Sequence, residues 1–204
     1  MMRFWQGARH LFERLAGAGP SQARLPQAAS EYWQKRRTWR YYGEVIRLAR
    51  RLAPQAQTVL DVGPNGTPLV CELDWIPAKT AVDLARHQIP GVTCVQQDFL
   101  AYRPERPFDL VLCLQVLEHI GPAAQFAQKL LATGRLVIVS VPYRWKAGSC
   151  RHHVQDPVDE DKLVGWMKRP FLEHAIIRDS ARERLIAVFA GGECSQRIEQ
   201  KRAA

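Results

Sequence analysis

The 204-residue sequence lacks several features that would assign a protein to a class at once. Its cysteines include no C-x-x-C pair, and the odd, scattered set argues against a disulfide framework and indicates a reducing compartment. The cysteines are Cys71, Cys94, Cys113, Cys150 and Cys194. No run approaches about 18 apolar residues, and the first residues carry charge throughout. We therefore expect neither a membrane span nor a secretory signal, and we expect a cytoplasmic protein.

Acidic residues are scarce in the first quarter of the chain. Lys and Arg total 29 against 20 Asp and Glu, and most of the excess lies before residue 57. Apolar residues at helical spacing predict a short basic helix over residues 4–15, a linker over 17–26, and a longer helix that Ser30 opens and that ends before Pro54. We divide the chain into a basic helical appendage (1–52), an α/β domain (53–192) and a C-terminal tail (193–204).

Short β-branched runs follow Pro54 and alternate with helical or turn-rich segments. Near-continuous apolar runs of this kind are typical of buried parallel strands. The predicted strands are residues 58–63, 80–84, 92–99, 108–116 and 135–142. Residues 122–133 predict a helix, and residues 171–178 with 184–190 predict a closing antiparallel hairpin. The order predicts an α/β fold with a mostly parallel sheet covered by helices on both faces.

Polar residues end several of these predicted strands, where an open parallel sheet binds its ligands. The first strand ends in a turn with Asp61, Gly63, Asn65 and Gly66, and Gly and Asn tolerate the positive φ that lets backbone N–H groups approach a ligand. The second strand ends at Asp83, whose carboxylate suits the two hydroxyls of a ribose.

The next two strand ends add to this set. Asp98 can accept a hydrogen bond from an exocyclic amine, and Phe99 is an apolar ring able to cover a base. The fourth strand ends at Gln115, followed by Val116, Leu117, Glu118 and His119. Four polar strand ends in this order favour a ligand site over isolated turn residues.

This ordered set resembles the class I S-adenosylmethionine-dependent methyltransferases, especially their small-molecule group, over residues 57 to about 141. The resemblance implies a Rossmann-like, seven-stranded sheet and S-adenosylmethionine as cofactor. By this resemblance, the methionine part of the donor would lie beside Asp61, Gly63, Asn65 and Gly66. The ribose would lie at Asp83 and Leu84, and the adenine at Asp98 and Phe99. The reacting methyl would lie beside Gln115.

The first loop departs from the family pattern D-x-G-x-G-x-G. Asn65 and Thr67 hold the second and third glycine places, and Pro68 lacks an N–H. A non-catalytic binding or scaffold protein would carry such changes, so it stands as one alternative. A nicotinamide-dependent oxidoreductase would share Gly63 and Asp83 but not the acid at Asp98.

The segment over residues 141–156 is polar and aromatic, and we expect it to form part of an acceptor wall. Methylation of a hydroxyl needs a base, and His153 or His152 is the first candidate, with Tyr143, His119 and Asp156 after them. The two neighbouring histidines and Asp156 offer metal-binding side chains but lack a third ligand at zinc spacing, so we expect no metal.

These patterns together predict methyl transfer to a small-molecule or glycan-type acceptor, at oxygen. We rank three roles for the appendage. Packing on the domain or forming a lid comes first, recognition of an acidic or phosphorylated acceptor second, and binding of nucleic acid third. The aromatic and basic residues over 32–42 would suit an RNA methyltransferase, which is another alternative. The first helix would also suit an anionic membrane surface.

Overall fold

The computed structural model describes residues 27–192, without the side chains of residues 27–30 and 32. The predicted helix over residues 4–15, the linker after it and the C-terminal tail lie outside the described residues. No helix in the described range is long and apolar enough to cross a membrane.

The centre of the fold is a seven-stranded sheet in the order β3-β2-β1-β4-β5-β7-β6. The strands are β1 (Thr58–Val62), β2 (Ala78–Asp83), β3 (Thr93–Gln96), β4 (Phe108–Leu114), β5 (Gly134–Pro142), β6 (Glu173–Asp179) and β7 (Arg182–Ala190). The first five strands are parallel, and β7 runs antiparallel between β5 and β6. This confirms the predicted mostly parallel sheet with a closing hairpin, although the strand ends differ by a few residues.

Within residues 27–192, four α-helices and two 3₁₀ helices surround the sheet. They are α1 (Gln27–Arg36), α2 (Arg40–Leu52), α3 (Ala123–Thr133), α4 (Glu160–Met167), and the 3₁₀ helices Leu69–Glu72 and Leu117–His119. From β1 to β4 the chain, which is fully described there, crosses without an α-helix. Those crossovers are turns and one 3₁₀ helix.

The two faces of the sheet carry separate apolar layers. One layer joins α3 and α4 to residues such as Val111 and Val139 of the central strands. The other joins α1 and α2 to Leu110, Ile138 and Ile186. The sheet therefore separates the N-terminal helices from the helices that follow β4.

The N-terminal segment forms two helices where the sequence predicts one. The first begins at Gln27 and not at Ser30, and the chain breaks before Arg40. The carboxylate of Asp179, at the end of β6, accepts hydrogen bonds from the backbone N–H groups of Arg40 and Tyr41 at 3.0 and 3.1 Å. This side chain satisfies free donors at the start of α2, which is the physical reason for a new helix there.

Helix α4 was not predicted. Asp159 precedes it, and the Asp159 carboxylate accepts from the backbone N–H of Lys162 at 3.0 Å. The helix ends at Lys168, whose φ of 51° is left-handed. Its buried residues Leu163 and Met167 pack in the same layer as α3, so α4 helps to cover the sheet beside the acceptor wall.

Candidate active site

Three residues of the turn after β1 adopt the left-handed backbone region. Gly63, Asn65 and Gly66 have positive φ angles of 71°, 48° and 71°. Thr67 donates its N–H to the carbonyl of Pro64 at 2.8 Å, which closes the turn. The departure at Asn65 is compatible with this backbone because Asn tolerates the left-handed region.

Two buried carboxylates lie at this edge of the sheet. Asp61 is 3% exposed and Asp83 is 9% exposed. Burial, with a smaller contribution from the negative charge of Asp83, raises the pKa of Asp61 to about 8. The like charges favour protonation of Asp61 at neutral pH, and a cationic group bound beside them would favour its ionised form.

Asp83 holds the turn to the end of β2. Its Oδ2 accepts from the Asn65 N–H at 3.0 Å, and its Oδ1 accepts from the Ala85 N–H at 3.0 Å. His87 Nε2 also lies 3.1 Å from Oδ2 as an ion-pair contact, but the angle does not suit a hydrogen bond. A carboxylate has about four acceptor positions, so Asp83 keeps capacity for ribose hydroxyls.

The remaining residues predicted for the ribose and the adenine lie in different environments. Leu84 is 36% exposed, and the Asp98 side chain is exposed and accepts from the Leu100 N–H at 2.8 Å. The Phe99 ring is only 4% exposed and packs 4.9 Å from the Phe126 ring. Phe99 thus belongs to the core, because its ring is needed to fill the layer under α3. Leu84 offers the apolar surface that the sequence analysis assigned to Phe99.

Gln115 follows β4 with an unusual backbone. Its φ is 58°, which is rare for a residue with a side chain. Its N–H donates to the Ser140 carbonyl at 2.9 Å, and its Nε2 donates to Ser140 Oγ at 3.2 Å. The next residue, Val116, packs against Gly63 so closely that a Cβ on Gly63 would lie 2.9 Å from Val116 Cγ2. The ends of β1 and β4 are therefore in direct contact.

The structure brings three of the candidate bases together. The His153 and Asp156 side chains are 6% and 2% exposed, and His153 Nδ1 lies 2.7 Å from Asp156 Oδ2. The His119 ring meets the His153 ring edge-on, with centroids 4.8 Å apart. His119 Nδ1 lies 2.9 Å from the carbonyl oxygen of His152. The structure thus groups His119, His153 and Asp156.

The other two candidate bases are differently placed. His152 is exposed and enters the group through its backbone carbonyl. The Tyr143 hydroxyl donates to Glu160 Oε1 at 3.0 Å, so its proton already has an acceptor on α4. These contacts favour His153 over His152 and Tyr143 as the candidate base.

Glu118 and Trp145 belong to this site although the sequence analysis did not single them out. Glu118 is 1% exposed, and burial raises its pKa to about 8, with the nearby Asp156 charge adding to the effect. Burial also lowers the pKa of His119. Trp145 stacks on His153 with a centroid distance of 5.5 Å. An acid directly before His119 at a strand end was the available signal for Glu118.

A cavity of about 320 Å³ lies against the acceptor wall. It is lined by Tyr143, Arg144, Trp145, Lys146, Ser149, Arg178, Ala181, Arg182 and Glu183. The Arg182 guanidinium lies 4.2 Å from the centre of the Trp145 ring, whose stacking partner is His153. The cavity is therefore basic, and Trp145 connects it to the histidines.

A profile of the methyltransferase domain family matches residues 32–178, which is well over half of the chain. The chain therefore belongs to the methyltransferase domain family, which is the class that its sheet order and strand ends define. A sequence search of curated proteins found no match.

Solved structures of methyltransferases share the fold. N-methyltransferase NodS from Bradyrhizobium japonicum WM9, solved with S-adenosyl-L-homocysteine, gives a TM-score of 0.63 at 14% identity over 89% of this chain and 97% of that one. The Burkholderia thailandensis 1,6-didemethyltoxoflavin-N1-methyltransferase gives a TM-score of 0.63 at 15% identity over 86% of this chain and 93% of that one. Magnesium protoporphyrin IX methyltransferase from Synechocystis PCC 6803 gives a TM-score of 0.56 at 16% identity over 93% of this chain and 96% of that one. The resemblance to class I S-adenosylmethionine-dependent methyltransferases is confirmed for family and fold.

The residues of the turn fit S-adenosylmethionine chemically. The donor carries a cationic ammonium and a sulfonium, which suit the paired carboxylates of Asp61 and Asp83. Its ribose and adenine suit the free acceptor positions of Asp83, the apolar surface of Leu84 and the exposed carboxylate of Asp98. The contact between Gly63 and Val116 places this turn directly beside the end of β4.

Proposed function

We propose that this protein transfers a methyl group from S-adenosylmethionine to a hydroxyl oxygen of a small-molecule or glycan-type acceptor. The observation that carries the proposal is the buried His153–Asp156 pair beside the 3₁₀ helix that follows β4. S-adenosylmethionine, when bound, supplies an electrophilic methyl group on its sulfonium. The chain's own residues must then hold the two substrates together, exclude water and accept a proton.

His153 suits the role of proton acceptor. An ionised Asp156 only accepts hydrogen bonds, so the 2.7 Å contact places the imidazole hydrogen on Nδ1 and leaves a lone pair on Nε2. Stacking on Trp145 and edge contact with His119 hold the ring in place. A hydroxyl near Nε2 would therefore give up its proton to a nitrogen that is already oriented.

The basic cavity suggests how the acceptor is held. Arg144 and Arg178 are engaged with Glu160 and Glu183 at 3.6 and 2.8 Å, whereas Arg182 lies over the Trp145 ring. A carboxylate or phosphate on the acceptor would bind these guanidinium groups. We propose an acceptor that carries an acidic group as well as the hydroxyl.

The N-terminal aromatic residues support packing as the role of the appendage. Trp33, Tyr41 and Tyr42 are 6%, 1% and 8% exposed, so their rings are not available to stack on bases. Trp39 is contacted by the guanidinium groups of Arg36 and Arg184, at 4.8 Å from the ring centre in each case. An RNA acceptor is therefore less favoured than a small molecule.

The first experiment is calorimetric titration of the full chain with S-adenosylmethionine and with S-adenosylhomocysteine, using NADH as a control ligand. We expect both sulfur compounds to bind, Asp83→Ala to weaken binding at least ~10-fold, and NADH not to bind. Asp74→Ala is the matched control, because Asp74 is a surface acid whose side chain is 76% exposed. Absence of binding by the wild type would favour the scaffold alternative.

The second experiment concerns the acceptor side. A panel of acidic hydroxy compounds and sugar acids is incubated with labelled S-adenosylmethionine, and the methylated atom is identified by mass spectrometry and NMR. His153→Gln is expected to lower turnover by ~100-fold or more while leaving donor affinity unchanged. Arg182→Gln is expected to raise KM more than it lowers kcat. Methylation at nitrogen would overturn the oxygen assignment.

A further inference from the structure

The geometry points to a divalent transition-metal site formed by Glu118, His119 and His153. One ligand atom from each of these residues lies within 4.8 Å of those of the other two. Two imidazoles and one carboxylate form a ligand set that suits zinc, cobalt or another first-row divalent ion. This metal site goes beyond the proposed function. Only the role of the metal ion in methyl transfer rests on that function.

Both imidazoles are oriented as metal-binding histidines are. A backbone carbonyl only accepts, so His119 must donate from Nδ1 to the His152 oxygen, 2.9 Å away. His153 likewise donates from Nδ1 to Asp156. Each histidine is left with a lone pair on Nε2, and a carbonyl or carboxylate partner on the other nitrogen is the usual support of a metal-binding imidazole.

The carboxylates supply a second, independent observation. Among the described residues, neither Glu118 Oε2 nor Asp156 Oδ1 has a hydrogen-bond partner, and both atoms are buried. A buried carboxylate oxygen without a partner is costly unless a cation or a proton neutralises the group. A divalent ion bound by Glu118 would supply that neutralisation, with Asp156 acting through His153.

The required movement is small. Atoms that bind one zinc ion at about 2.0–2.1 Å in a tetrahedral arrangement lie about 3.3 Å apart. The ligand atoms here would close by at most about 1.5 Å, which rotation of the Glu118 side chain and small ring shifts provide. Three protein ligands leave at least one position for water or for an oxygen of the acceptor, as in catalytic zinc sites.

A cation there would change the role of His153 in the proposed reaction. His153 would be a ligand, and a hydroxyl bound to the ion would release its proton to solvent because the cation lowers the hydroxyl pKa. The oxygen of that hydroxyl would remain beside the end of β4. The proposed ligand set differs from the group considered in the sequence analysis: His153 would be joined by His119 and Glu118 in place of His152 and Asp156.

The test uses Co²⁺ as the probe, titrated into the metal-free full chain and followed by visible absorption and calorimetry. We expect one Co²⁺ per chain and no sulfur-to-cobalt charge-transfer band, since no cysteine is among the ligands. Glu118→Gln and His119→Ala should each abolish binding, and Asp156→Asn should weaken it by ~10–100-fold. His174→Ala, at an exposed histidine on β6, is the matched control and should bind as the wild type does.

Thermal unfolding keeps the test independent of folding defects. Glu118→Gln replaces a buried carboxyl with a neutral group of the same size, so the metal-free variant should unfold close to the wild-type temperature. Co²⁺ should raise the unfolding temperature of the wild type and leave that of Glu118→Gln unchanged.

The outcomes separate this site from the methyl-transfer proposal. No Co²⁺ binding, binding that survives in both Glu118→Gln and His119→Ala, or a cysteine charge-transfer band would each overturn the metal site. Donor binding is measured separately by calorimetry. Co²⁺ binding without donor binding would support the metal site while overturning the proposed function.

Discussion

The hydroxyl oxygen of Tyr41 lies 2.7 Å from Ser140 Oγ in the buried layer between α2 and β5. The same Oγ accepts from Gln115 Nε2 at 3.2 Å. One serine thus joins an N-terminal helix to the strand-end residue that we place beside the reacting methyl. The appendage is coupled to the site through this contact as well as through apolar packing.

We expect Ser140→Ala to lower the free energy of unfolding by ~1–3 kcal/mol, because it takes a partner from two groups in a buried layer. Tyr41→Phe should cost less, since it removes one polar group without stranding another. The measurement is urea denaturation of both single variants and the double variant. If the double variant is no less stable than Ser140→Ala, the contact between Tyr41 and Ser140 is confirmed. If the two losses of unfolding free energy add fully, a direct contact is contradicted.

Asp61→Asn should stabilise the protein while weakening donor binding. The folded-state pKa of Asp61 is raised to about 8 from an ordinary 3.8. Between those values the folded state holds a proton that the unfolded state has released, so the contribution of Asp61 to stability falls as pH rises from about 4 to 8. The free energy of unfolding of the variant should exceed that of the wild type by a few kcal/mol at pH 8 and match it near pH 4. Denaturation at each pH measures this difference.

Asp74→Asn provides the control for this prediction. It removes the same charge from a side chain that is 76% exposed, so the pH dependence of its stability should follow that of the wild type. A wild-type-like pH profile for Asp61→Asn as well would show that Asp61 is ionised in the free protein.

Donor affinity should rise with pH between about 5.5 and 7. Asp61, with its pKa near 8, is mainly protonated in that range, and a cationic ligand binds better to the carboxylate. The donor's own amino group titrates near ~8, above this range. The expected change is up to about tenfold per pH unit, accompanied by proton release detected by calorimetry in two buffers. Asp61→Asn should bind more weakly and show neither effect.

Gly63→Ala should destabilise the site loop. Its φ of 71° is strained for alanine, and the new Cβ would lie 2.9 Å from Val116 Cγ2. We expect a loss of ~1–3 kcal/mol and weaker donor binding, with partial recovery in the double variant Gly63→Ala/Val116→Ala. Gly121→Ala is the control, because nothing lies within 4 Å of its added Cβ. Equal effects at both glycines would contradict the predicted contact.

The sheet could be predicted because its strands are encoded locally. The apolar runs that contain β1 and β5 end at residue types that favour turns, and strand ends determine which side chains meet at one edge. The positive φ of Asn65 also followed from residue type alone. These features depend on short stretches of chain.

The missing parts depend on contacts between distant residues. The break before Arg40 is capped by Asp179, and the packing that buries Phe99 comes from Phe126 on α3. Glu118 turns inward from a short 3₁₀ helix, where apolar periodicity gives no direction. The acid before His119 was a local signal for Glu118, but no local pattern shows that its side chain meets His119 and His153, so the cluster was not predicted.

The capping of α2 by Asp179 has a consequence for synthesis. The ribosome makes Arg40 long before Asp179, and the two residues are 139 positions apart. While the nascent chain grows, α2 has neither this cap nor the β6 surface on which it packs. We therefore expect α2 to dock last, so that its exposed apolar side is a natural target for chaperones until the hairpin has emerged.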